Sequence, residues 1–190
     1  MNIKLVFKLL GRILSMEAAV LVLPMAVALL YHESPMPFVW SILVILCISL
    51  PLSFLPAERH FHVREGFVSV GLLWLLTGVV GGLPFYFSGY FNSFIDCVFE
   101  ASSGFTTTGA TILTNIEALP YGILFWRAFT HWLGGMGVLV LVTAIVPSLG
   151  VRPHYLTQAE TPGPVFSKLV PKQSQTSKIL YQMYFALTLA

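Results

Sequence analysis

Charge is what this sequence has least of: eight acidic and ten basic side chains make up 9% of its 190 residues. Soluble domains carry roughly 25%, so a chain this poor in charge is not built to face water on all sides. The net charge of +2 is also too small for the electrostatic footprint of a nucleic-acid binder. Cysteine is nearly missing. Cys47 and Cys97 sit inside apolar runs without a partner at metal-ligand spacing, and read as small buried hydrophobes. His60 and His62 stand two apart but lack a third ligand nearby, so the stretch reads as a charged membrane flank and not as a metal site. The first apolar run is long enough to span, and no small-residue A-x-A site follows it, which argues against a cleaved signal peptide.

What the chain has instead is long apolar runs, with 56% of its residues hydrophobic. About 20 residues at 1.5 Å rise cross a hydrocarbon core of roughly 30 Å. Four runs qualify: 13–30, 38–55, 66–87 and 121–146. Pro24 is expected to kink the first, and Glu17 to lie near its cytoplasmic end, solvated by headgroup water. Pro51 and Pro56 mark the end of the second. The third carries Gly71, Gly78, Gly81 and Gly82, small residues that let neighbouring helices approach. The segments are therefore 1–56, two leading helices; 57–65, a polar loop; 66–147, a helix, a short inserted segment and a helix; 148–178, a proline-rich linker; and 179–190, where the apolar pattern restarts. The fold class is an all-α membrane protein: four transmembrane helices, a re-entrant pore helix with a filter loop, and the start of a fifth helix.

Basic residues orient this arrangement. Lys4, Lys8, Arg12, Arg59, Arg64, Arg152, Lys168, Lys172 and Lys178 all fall on one side, and only Arg127 lies within a span. The positive-inside rule puts that side, with the N-terminus, in the cytoplasm. If residues 92–114 crossed the membrane, the linker basics would move outside. The segment therefore enters and leaves from the outer face.

Irregular backbone at membrane depth is tolerated only where it is packed in protein or lines a watery cavity. Ser93-x-x-Asp96 resembles a capping box and predicts a short helix to about Ser103. The C-terminal end of that helix, carrying roughly half a negative charge, favours a cation. Gly104 is expected to take the left-handed conformation that ends it. Thr106, Thr107 and Thr108 offer carbonyl and hydroxyl oxygens, Gly109 lets the strand bend, and Ala110 completes a candidate filter strand. A loop that merely plugs a bundle satisfies the same physics.

An ionisable group inside a span needs a partner or water, so Arg127 is expected to pair with Glu100, with Asp96 as second choice and snorkelling as the alternative. His131 reads as a hydrogen-bonded packing residue. Gly134-Gly135-Met136-Gly137 lies within a span and reads as close helix packing. Ser102 or Ser103 with His131 would make an intramembrane protease dyad, but the sequence E-A-S-S-G at 100–104 is not G-x-S-x-G.

The stretch Phe99-Glu100-Ala101-Ser102-Ser103-Gly104-Phe105-Thr106-Thr107-Thr108-Gly109-Ala110-Thr111, followed by Leu124-Phe125-Trp126-Arg127-Ala128-Phe129-Thr130-His131-Trp132-Leu133-Gly134-Gly135-Met136-Gly137, resembles the Trk/Ktr potassium-uptake superfamily, and within it the membrane subunit of the bacterial Trk system. The resemblance implies a non-enzymatic role in potassium uptake across the bacterial cytoplasmic membrane. It makes Gly109 the filter glycine of a first repeat, with potassium held through Thr107, Thr108 and Gly109, and it calls for no cofactor in this chain. It further implies a cytosolic RCK-type nucleotide-binding regulatory subunit, docking on 57–65 and 148–178, and a homodimer of the full-length subunit. Such a family surrounds one pore with four repeats, whereas this chain holds one. The expectation is a fragment of a longer chain, with four assembling copies or a non-conducting remnant as alternatives.

Overall fold

The computed structural model describes residues 3–56, 63–135, 137, 179 and 182–188. Arg59, His60, His62, the second half of the fourth expected span and the linker 148–178 lie outside the described residues. Within them every regular element is a helix: α1 (Ile3–Val20), α2 (Val22–Leu30), α3 (Met36–Ser53), α4 (Val63–Gly81), α5 (Leu83–Ser88), α6 (Phe94–Phe105) and α7 (Tyr121–Gly135). Three stretches are long and apolar enough to cross a membrane: Ile3–Leu30, Met36–Ser53 and Val68–Ser88. The fourth expected span is represented by α7, and residues 182–188 are helical where the fifth was expected.

The first span differs from its expected bounds. It begins at Ile3, not residue 13, and breaks at Leu21, between α1 and α2. Pro24 has no N–H for the Val20 carbonyl, which is the bond the interrupted ladder lacks. The third span also breaks once, at Gly82, just before Pro84. Pro51 lies inside α3, which runs two residues beyond it.

Glycine and serine set the helix contacts. A Cβ on Gly11 would come within 2.6 Å of the Ser53 nitrogen, and Ser15 bonds Ser49 hydroxyl to hydroxyl at 2.9 Å, so α1 and α3 pack closely. Glu33 joins distant parts of the chain, its carboxylate accepting from the backbone N–H groups of Tyr121 at 2.7 Å and Gly122 at 2.9 Å. A carboxylate there satisfies orphan donors and complements the positive end of α7. The core between these elements contains Phe38, Ile45, Phe85 and Trp126, none more than 1% exposed.

This framework sets α6 as a re-entrant helix. Its twelve residues cover about 18 Å, little more than half of a hydrocarbon core. The chain before it and the chain after its loop come back to one face. Glu33, Ser34, Ser88, Tyr90, Glu117 and Tyr121 all line a single cavity of about 520 Å³ there.

A buried half-helix and its carbonyl-bearing loop

Ser93 caps α6 with extended backbone, its side chain accepting from the Asp96 N–H at 3.2 Å. From there α6 lies between α4 and α7 and leans on their small residues. A Cβ on Gly78 would come within 2.5 Å of the Ser102 hydroxyl, one on Gly81 within 2.6 Å of the Phe105 ring, and one on Gly82 within 3.1 Å of the Cys97 backbone. On the α7 side, a Cβ on Gly134 would run into the Phe105 carbonyl. The expectation of close packing thus describes Gly78, Gly81, Gly82 and Gly134; Gly71 faces open space.

Gly104 does not play its expected part. It stays inside α6, buried, where a Cβ would collide with the Thr130 hydroxyl. The left-handed residue is Thr107, at φ 57°. Its N–H bonds the Gly104 carbonyl at 2.9 Å, and the Thr108 N–H bonds the Ser103 carbonyl at 3.0 Å. These two bonds are the Schellman closure of a helix, with threonine where glycine is usual. A β-branched residue in this region is an outlier, at a cost of roughly 1–2 kcal/mol. Such strain persists where surrounding structure over-determines it. Here the Thr106 N–H and hydroxyl both reach the Ser102 carbonyl, at 2.9 and 2.7 Å, and the Thr106 and Thr108 hydroxyls meet at 2.8 Å.

The five expected filter residues separate by what their carbonyls do. The Thr106 carbonyl accepts from the Thr107 hydroxyl at 2.7 Å. That of Ala110 accepts from the Ser103 hydroxyl at 2.6 Å. The carbonyls of Thr107, Thr108 and Gly109 accept no hydrogen bond among the described residues. Residues 106–112 are exposed throughout, directly after the buried end of α6. Gly109 lies at φ 75° with nothing within 4 Å of a Cβ.

Behind the loop lies a buried ion pair. Glu100 is 1% exposed, and its Oε1 accepts from Arg127 Nε at 2.6 Å. Its Oε2 accepts from the Thr111 hydroxyl at 3.0 Å, and the Thr111 hydroxyl in turn accepts from the Leu113 N–H at 3.1 Å. One carboxylate therefore ties α6 to α7 and to the far end of the loop. The parts that Ser103 and Thr111 play in holding the loop depend on a fold-back that no local spacing encodes. His131 packs as expected, with Nδ1 2.9 Å from the Arg127 carbonyl. Since Ser103 bonds Ala110 and this His131 nitrogen bonds Arg127, these two do not form a dyad.

Residues 36–190 match the family model of TrkH, described as a cation transport protein. The chain belongs to the TrkH cation transport protein family. It is 39% identical over 196 residues to the Trk system potassium uptake protein TrkH of Vibrio parahaemolyticus, covering 100% of this chain and 40% of that protein. Against the Escherichia coli protein of the same name it is 38% identical over 195 residues, with the same coverage. An uncharacterized cation transporter of Methanocaldococcus jannaschii is 29% identical over 189 residues, across 99% of this chain and 39% of that one. The crystal structure of the potassium transporter TrkH from Vibrio parahaemolyticus superposes with a TM-score of 0.77 and 34% identity, over all of this chain and 38% of the other. The TrkH-family chain thus spans about two fifths of the length of these relatives.

Proposed function

We propose that this chain contributes one of four strands lining a potassium-selective pore, and that the transporter assembled from it takes up potassium across the cytoplasmic membrane. The observation that carries this reading is the row of three adjacent carbonyls, Thr107, Thr108 and Gly109, that accept no hydrogen bond among the described residues and lie on an exposed loop. Carbonyl oxygens in such a row replace an ion's hydration shell. The end of α6 adds its partial negative charge behind them. Thr106 and Ala110 flank this row, each carbonyl already holding one hydrogen bond and keeping one lone pair for an ion. The potassium named in its relatives supports the choice of ion. No catalytic role is assigned to any side chain.

Uptake tests this. Expressed in a strain deficient in potassium uptake, the assembled transporter restores growth at limiting potassium and takes up rubidium, with sodium competing poorly. Rubidium uptake equal to that of empty membranes, at normal protein levels, would make the loop a plug.

The same reading places the N-terminus, residues 57–65 and the linker 148–178 in the cytoplasm, where an RCK-type regulatory subunit would dock on a homodimer. Cysteines substituted for Ser93 and Lys168 then label from opposite faces. Labelling of both from one face would contradict this orientation.

A further inference from the structure

Glu17 does not occupy the solvated position that its place near the start of an apolar run suggests. With α1 beginning at Ile3, it lies about 21 Å along the helix. It is 7% exposed, and neither carboxyl oxygen has a hydrogen-bond partner among the described residues. Oε1 lies 3.2 Å from where a Cβ on Gly81 would stand, and the Phe105 ring lies 2.6 Å from the same point. The acid therefore touches the layer in which α1, α4 and the last residue of α6 meet.

Among the described residues no cation or hydrogen-bond donor answers it there. α1 packs on α2, α3 and α4. α2 has no titratable residue, Cys47 of α3 is exposed, and Arg64 and Glu65 stand at the far start of α4. On the elements beyond, Glu100 and Arg127 are bonded to each other, His131 bonds the Arg127 carbonyl, and Asp96 and Cys97 stand in the first turn of α6. The Gly81 carbonyl already accepts from Trp126 Nε1 at 2.9 Å.

We infer that Glu17 is a proton-binding site inside the membrane, neutral in the packed state, whose ionisation parts α1 from Gly81 and the end of α6. A metal cation would need several oxygen ligands, and the described residues hold no group of three or more acidic, histidine or cysteine side chains. A proton needs one lone pair. An ionised carboxylate buried without a partner is far more costly than a neutral one, so loss of the proton drives the group toward water. Phe105 leads directly into Thr106, so proton occupancy reaches the carbonyl-bearing loop. This inference stands apart from the transport reading, because its test measures no ion flux.

The test uses the whole chain in lipid vesicles with isotope-labelled glutamate carboxyls. Infrared difference spectra of the wild type show a protonated-acid carbonyl band at neutral pH that disappears on alkalinisation. Glu17→Gln, isosteric and uncharged, lacks the band. Amide exchange at residues 102–108, compared between the two at each pH, rises severalfold in the wild type alone as the band is lost. If Glu17→Gln does not fold, Glu17→Asp replaces it and moves the band to the aspartate position. A wild type without the band at neutral pH, a band that survives substitution, or exchange that stays equal in both proteins would overturn the inference.

Discussion

Arg127→Met is expected to destabilise the protein by about 3–5 kcal/mol, the usual cost of breaking a buried pair from one side. The guanidinium is less enclosed, its side chain being 17% exposed, while Glu100 is 1% exposed. The penalty therefore falls on the carboxylate left behind. Methionine preserves most of the arginine stem's packing, so the loss reports charge more than volume. Glu100→Gln added to Arg127→Met should recover much of the stability, because the amide still accepts from Thr111 without carrying a charge. Unfolding by heat or denaturant in detergent measures both. A single variant as stable as wild type would mean that the pair does not brace α6 against α7. Loss of the Glu100 anchor should also loosen residues 106–113, since its second oxygen holds Thr111.

Much of this architecture is legible in the sequence, for identifiable reasons. Apolar run length reports the bilayer directly, and it leads to the three long apolar helices and to a separate short helix, α6, after the third of them. The Glu100–Arg127 pair followed from the cost of an isolated charge in a span, which leaves few possible partners. Gly104 and Thr107 show where local rules lose. Glycine is the usual left-handed helix terminator, but Gly104 is needed where α6 meets Thr130, and the turn moves three residues on to a threonine held by its neighbours. Which of the loop carbonyls remain free was equally hidden, because Ser103 and Thr107 use their hydroxyls to occupy two of them. Glu17 was misplaced because helix α1 extends ten residues before the apolar run begins, carrying Lys4, Lys8 and Arg12 on its own turns.

Gly109→Ser tests most directly whether the strand ending at Gly109 coordinates potassium. At φ 75° any L-residue pays roughly 1–2 kcal/mol, small against a whole bundle. Within this chain the added Cβ meets nothing, so folding and expression should stay near wild type. The strain instead acts on the carbonyls of Thr108 and Gly109, where about 1.4 kcal/mol is a tenfold change in preference. Sodium competition of rubidium uptake by the assembled transporter reads that change, with Thr114→Ser, beyond the loop, as the control. The expected result is roughly a tenfold loss of discrimination in Gly109→Ser and little change in Thr114→Ser. Unaltered selectivity in Gly109→Ser, at normal protein levels, would contradict the assignment of this loop as a filter.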